Sequence, residues 1–194
     1  MIAIIQYNAG NILSVYNAID RLGYDCIITN DHKKIKDADK VIFPGVGEAF
    51  SSMKYLRSNK LDKLIQNLEQ PVLGICLGMQ LMCNSSEEGP TQCLKIFPND
   101  VVSFKNNDLV PHMGWNNVKI EKKHELFSGT EDKQFFYFVH SFVALNTETS
   151  ITTTHYGEEF VSSLATENIF ATQFHPEKSG EIGLKFLENL FKSK

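Results

Sequence analysis

The sequence predicts an α/β fold: a central, mainly parallel sheet flanked by helices, with additional antiparallel strands in the C-terminal half. Three observations predict it. Short apolar runs alternate with stretches of helical spacing through the first part of the chain, as expected of buried parallel strands joined by crossover helices. Residues 93–174 are instead rich in aromatic and β-branched side chains, which suit antiparallel strands and hairpins. A closing stretch at 179–192 returns to helical spacing.

Taken in order, IAIIQ at 2–6 reads as a buried strand, followed by the polar turn Asn8-Ala9-Gly10-Asn11. Leu13, Val15, Tyr16, Ile19 and Leu22 then fall close to helical spacing, and Gly23 is placed to close that helix. Residues 24–29, 40–43 and 71–75 read as the next three strands. Between the last two lies one helical stretch, with Met53, Leu56, Leu61, Leu64, Ile65 and Leu68 as its apolar face. The runs at 134–145, 150–155 and 168–174 predict strands of the second half. The final helix presents Ile182, Leu184, Phe186, Leu187, Leu190 and Phe191. No internal repeat, low-complexity segment or Pro/Gly/Ser-rich linker divides the chain, so residues 1–194 are expected to form a single domain.

Composition narrows the function classes. A formal net charge of -4 argues against a nucleic-acid or membrane surface, since polyanions require a basic field. The first ten residues lack a basic segment and a long apolar core, so they read as a strand and not as a signal peptide. No apolar run approaches the roughly 20 residues that span a bilayer. The four cysteines, Cys26, Cys76, Cys83 and Cys93, form no C-x-x-C pair and no metal-ligand spacing. Free thiols in a reducing, cytoplasmic compartment are expected, with no metal and no cofactor.

One cysteine stands apart. Gly74-Ile75-Cys76-Leu77-Gly78 follows an apolar strand and precedes the helical run Met79-Gln80-Leu81-Met82. A nucleophile between small residues at a strand-to-helix junction is a nucleophile elbow. The turn lifts the cysteine above the strand end, near a helix N-terminus that favours a thiolate. The Leu77 N–H would then face an oxyanion at the attacked carbonyl. The plainer reading is a buried cysteine in a tight turn. Phe174-His175-Pro176-Glu177 shifts the balance, because His175 ends an apolar run and Glu177 is two residues on, able to orient the imidazole. Cys76 as nucleophile, His175 as base and then acid, and Glu177 as orienter would complete a triad. Pro44-Gly45-Val46-Gly47, after the strand at 40–43, offers a second backbone donor through Val46 or Gly47, although Pro-Gly is also a common turn.

These segments resemble the class I, triad-type glutamine amidotransferases. The chain is most similar to the group of glutaminase subunits of imidazole glycerol phosphate synthase. The resemblance spans nearly the whole length: AGNILSV at 9–15, FPGVGEAF at 43–50, PVLGICLGMQLM at 71–82, SSEEG at 85–89, VPHMGWNNV at 110–118, FYFVHSF at 136–142, YGEEF at 156–160 and QFHPEKSG at 173–180. The elbow and HPE segments are shared by the whole class; HMGWN and YFVHSF are far more particular. The resemblance implies hydrolysis of L-glutamine to glutamate and ammonia through a Cys76 thioester. It also implies a separate (β/α)8-barrel cyclase subunit that receives the ammonia through a channel, for histidine and purine-precursor (AICAR) biosynthesis.

Carried over by motif, Gln80 and Glu88 would hold the amino-acid end of glutamine, together with backbone from Gly47, Ser141 and Phe142. Glu88 suits the substrate ammonium, although alone it reads as one acid in an acidic loop. Asn11, Trp115 and Lys178 match positions expected near the partner; without the motif, Trp115 reads as a core aromatic. His112 and His140 read as structural, hydrogen-bonded histidines. The chain departs from the family pattern at Gln6-Tyr7-Asn8-Ala9 and at Gly89-Pro90-Thr91-Gln92-Cys93-Leu94-Lys95. Those departures support an alternative, a paralogous amidotransferase supplying ammonia for amidination of a surface sugar. An α/β-hydrolase is disfavoured because its acid precedes its histidine in the chain, whereas here Glu177 follows.

Overall fold

The structure is a computed structural model that describes residues 1–8, 10–105 and 110–193. Ala9 of the expected polar turn, and 106–109 within the aromatic-rich stretch, lie outside the described residues. In the first part, β1 (Ile2–Ile5), α1 (Ile12–Arg21), β2 (Cys26–Thr29), α2 (His32–Lys36), β3 (Lys40–Phe43), α3 (Ala49–Ser58), α4 (Leu61–Gln66), β4 (Val72–Ile75) and α5 (Leu77–Met82) alternate as the apolar pattern predicts. The second part runs β5 (Ser85–Ser86), β6 (Thr91–Gln92), β7 (Asp100–Ser103), β8 (His112–Ile120), β9 (Gln134–His140), β10 (Phe142–Ala144), β11 (Ser150–Tyr156), β12 (Glu158–Ala165) and β13 (Ile169–Thr172), and α6 (Gly180–Lys192) closes it.

The strand order is β2-β1-β3-β4-β13-β12-β10-β7-β5-β6, with β11, β8 and β9 branching from β12. Strands β2, β1, β3, β4 and β13 pair in parallel. β13 joins the two parts, since its other edge pairs antiparallel with β12. Ala3, Ile5, Val41 and Phe43 face one apolar core, with the α3 and α4 residues Met53, Leu56 and Leu61. Ile2, Ile4 and Ile42 face the other, against Val15 and Ile19 of α1 and Phe186, Leu187 and Leu190 of α6. Burial on both faces explains why these strands read as continuous apolar runs and not as alternation.

Several boundaries differ from the expected ones. The single helical stretch before β4 is two helices, broken where Lys60 turns left-handed at φ 57; its expected apolar residues are buried all the same. The run at 134–145 is interrupted at Ser141, so β9 and β10 are separate strands. The run at 168–174 is antiparallel on one edge only. Leu13, expected on the buried face of α1, is exposed. Gly23 ends α1 as expected, at φ 78, with Gly23 N–H donating to Asp20 O and Tyr24 N–H to Ile19 O. That pair of bonds is a Schellman closure.

Candidate active site

Three chain segments converge at the C-terminal end of β4. Cys76 lies between β4 and α5 with φ 52 and ψ -109, a strained backbone for a residue with a side chain. Its N–H donates to Thr172 O at 2.7 Å, which anchors the elbow to β13. The glycine at 78 has a steric cause: a Cβ there would stand 2.0 Å from Phe43 O. The elbow therefore packs directly onto the end of β3. The Cys76 sulfur is buried in the cleft wall, between Val139 O and Gln173 Nε2, each at 3.6 Å.

Beyond β13, His175 and Glu177 enter the same place. His175 Nδ1 meets Glu177 Oε1 at 2.7 Å, both side chains 1% exposed. Ser179, itself buried, fixes this loop, with its hydroxyl donating to His175 O at 2.7 Å and accepting from Tyr137 N–H at 3.0 Å. His175 Nε2 is buried without an aligned hydrogen-bond partner among the described residues, although the Cys76 sulfur is within interaction range of the ring. Burial pushes the imidazole pKa down. Negative charge at Cys76 and the Glu177 carboxylate outweigh it and carry the pKa up to about 10. The arrangement can thus hold a proton on His175 beside a charged sulfur.

Val46, Gly47, Cys76, Leu77, Gln80, Glu88, Ser141 and Phe142 line one cleft of about 260 Å³, with His140 among the remaining wall residues. A larger groove of about 770 Å³, between Ile120 and Asp132, contains none of the expected site residues. Size does not decide here; chemistry does. Glu88 Oε2 accepts from Ala49 N–H at 2.8 Å, and burial raises its carboxyl pKa. Gln80 differs from the simple expectation of a substrate ligand. Its amide nitrogen donates inward to Phe142 O at 3.0 Å and to Gln173 Oε1 at 2.9 Å.

The backbone donors also differ from expectation. Leu77 N–H, expected to face an oxyanion, donates to Gly45 O at 3.3 Å. Val46 O accepts from Gly10 N–H at 3.3 Å, and Gly47 sits at φ 135, a conformation open to glycine. Tyr7 O–H donates to Pro44 O at 2.6 Å from a buried position. The turn at 44–47 is thus tied down by both the elbow and the first loop.

Trp115 is 54% exposed, which excludes the core-aromatic reading. It meets Tyr137 edge-on at 6.1 Å, and Lys178 Nζ lies 5.9 Å from that same tyrosine ring. Asn11 donates its amide N–H to Glu177 Oε1 at 2.8 Å, one residue before Lys178 in the chain. His112 and His140 are buried and bonded to each other at 3.0 Å, as expected of structural histidines. Of the other cysteines, Cys26 is half-buried, more accessible than Cys76. Cys83 and Cys93 are buried, and burial pushes both thiols up. Sequence reasoning gave no role to Gln173, Ser179 or Tyr7; two of them lie inside the quoted QFHPEKSG segment, which was the available signal.

Among the described residues no group of His, Cys, Asp and Glu side chains could hold a metal ion. Nor, among those residues, is any helix long and apolar enough to cross a membrane. The chain matches the family model "Glutamine amidotransferase class-I" over residues 3–193. It is 51% identical to the imidazole glycerol phosphate synthase subunit HisH of Bacteroides thetaiotaomicron, covering 97% of each chain. Identity to the same subunit of Dehalococcoides mccartyi is 45%, over 99% of this chain and 97% of that one. The solved structure of PurLQS from Thermotoga maritima superposes with a TM-score of 0.73 at 16% identity, covering 98% of this chain and 96% of that one, which speaks for the fold alone. Matched almost from end to end, the chain belongs to the class-I glutamine amidotransferases, within their imidazole glycerol phosphate synthase subunit HisH family.

Proposed function

We propose that this chain is the glutaminase of imidazole glycerol phosphate synthase, acting as one domain, with Cys76, His175 and Glu177 as its triad. One observation carries the assignment: His175 is held by Glu177 at 2.7 Å while its other nitrogen is buried, with no aligned partner among the described residues, beside the Cys76 elbow. The Cys76 thiol gives its proton to His175 and the thiolate attacks the carboxamide carbon of L-glutamine. His175 returns that proton to the departing nitrogen, which leaves as ammonia, and Cys76 is left as a thioester. Water, deprotonated by His175, then attacks the thioester; glutamate leaves and the thiolate is restored. Leu77 N–H, with Val46 or Gly47, would stabilise the oxyanion once the 44–47 turn reorients.

Gln80 and Glu88, with backbone of Gly47, Ser141 and Phe142, would bind the amino-acid end of the substrate. A carboxylate at Glu88 pairs with the substrate ammonium. Ammonia then passes to a separate cyclase subunit of (β/α)8-barrel form in the cytoplasm, docked near Trp115 and Lys178. Exposure of Trp115 beside Tyr137 supports that face, since exposed aromatics concentrate at interfaces. Cys76→Ala tests the reading. It should abolish glutamine-dependent synthesis by the complex and leave ammonia-dependent synthesis largely intact. Equal loss of both would assign Cys76 a structural role.

A further inference from the structure

The Cys76 sulfur has two polar neighbours of opposite kind. Val139 O, at 3.6 Å, can only accept; the Gln173 amide nitrogen, at 3.6 Å, can only donate. Gln173 follows β13, is 0% exposed, and is tied by its backbone N–H to Ser162 O at 2.9 Å. The orientation of its amide is fixed by a chain of bonds. Phe142 O accepts from Gln80 Nε2 at 3.0 Å, so the Gln80 nitrogen must point that way. The same nitrogen donates to Gln173 Oε1 at 2.9 Å, which turns the Gln173 Nε2 toward the sulfur. Reversing either amide would set oxygen against oxygen or nitrogen against nitrogen. The donor at Cys76 is therefore built in.

We propose that Gln173 is a further catalytic residue, whose amide N–H holds the Cys76 sulfur and stabilises it as a thiolate. The inference rests on Cys76 being the nucleophile. In the thiol form S–H can donate to Val139 O while the sulfur accepts from Gln173. Once the proton has passed to His175, the sulfur no longer donates to Val139 O, and that carbonyl faces a negative sulfur. The Gln173 bond changes in the opposite sense, from neutral to charge-assisted, and such bonds are roughly twice as strong. Complete burial of Gln173 keeps water from replacing it. Gln80 then has a second duty besides facing the cleft, which is to aim Gln173.

The test uses Gln173→Met, which keeps bulk and removes the donor, and Gln173→Glu, which can still accept from Gln80 but sets an oxygen against the sulfur. Two quantities are measured: the pH profile of Cys76 alkylation by iodoacetamide in the full chain, followed at that residue by peptide mass, and kcat and KM for glutamine in complex with the cyclase subunit. Removal of the donor should move the alkylation profile up by about one pH unit and lower kcat about tenfold, at nearly constant KM. The shift should be larger for Gln173→Glu. If Gln173→Met does not fold, the Gln173→Glu profile decides alone. An unchanged alkylation profile in a folded variant overturns the proposal even if kcat falls, because a merely structural amide would not move it. Cys76→Ala is run alongside: if that variant still hydrolyses glutamine, the nucleophile assignment fails as well. If it does not, failure at Gln173 stands by itself.

Discussion

Asn11 donates to the Glu177 oxygen that also holds His175: the amide nitrogen is 2.8 Å and the imidazole nitrogen 2.7 Å from the same Oε1. Asn11 begins α1 in a left-handed conformation, φ 64, and makes no side-chain cap. Its side chain is turned from the helix to the carboxylate. Asn11→Gly tests that link while tolerating the backbone angle. We expect kcat to fall about tenfold, the equivalent of a lost hydrogen bond to a charged group, at unchanged KM. Steady-state kinetics at saturating cyclase subunit would show it; an unchanged kcat would leave Asn11 with an interface role only.

The Leu77 N–H bond to Gly45 O predicts a slow isolated chain. A donor occupied by its own backbone cannot receive an oxyanion, and removing one such donor typically costs about 100-fold or more in rate. Ammonia release by the chain alone should be weak, and rise strongly when the cyclase subunit and its acceptor are added. Full turnover by the isolated chain would contradict this.

His112 and His140 predict loss of stability in acid. His140 Nδ1 donates to Phe142 O at 2.9 Å, and His112 Nε2 accepts from the Asn116 amide at 3.3 Å, so His112 Nδ1 donates to His140 Nε2. Both rings are therefore neutral. Burial lowers the pKa of His112 to about 4 and of His140 to about 3. The unfolded chain takes up these protons near pH 6.5 and the folded one does not. Their stabilisation is complete above pH 6.5 and is lost as pH falls toward 4, by about 1.4 kcal/mol per pH unit for each ring. His175 has the opposite sign: its contribution is full below pH 6.5 and is lost progressively as pH rises from there through about 10. Urea midpoints at pH 7 and pH 5 should differ clearly, and His112→Gln should narrow the difference.

Local pattern carried the first part of the fold because each parallel strand is apolar on both faces and each helix has one apolar side. The break at Lys60 left no mark in that pattern, since Leu61, Leu64 and Ile65 remain buried across it. Helix α2 was missed because Ile35 is its one buried residue, too little for a stripe. At the site, the elbow at Cys76 and the His175–Glu177 pair were legible because each depends on residue type at short spacing. Gln173 was not. Its role depends on a chain through Gln80 and Phe142 that joins positions 93 and 62 residues apart. The bond from Asn11 to Glu177 was equally hidden, since it spans 166 residues.

Tyr7 gives a last prediction, in the first loop. Its hydroxyl donates to Pro44 O at 2.6 Å, and a Cβ on Gly45 would come within 2.5 Å of the Tyr7 hydroxyl oxygen. Burial, with the charge at Cys76 adding to it, pushes the phenol pKa up, so Tyr7 stays a neutral donor at any working pH. Tyr7→Phe keeps the ring, including its contact with Phe43 at 5.2 Å, and removes only the donor. Pro44 O would then be buried without its tyrosine partner, at a cost of about 1–3 kcal/mol. Urea denaturation should show that loss, with an unchanged m-value because the surface exposed on unfolding is the same. An unchanged midpoint would mean that water reaches Pro44 O when the hydroxyl is gone, and that the first loop does not hold the 44–47 turn.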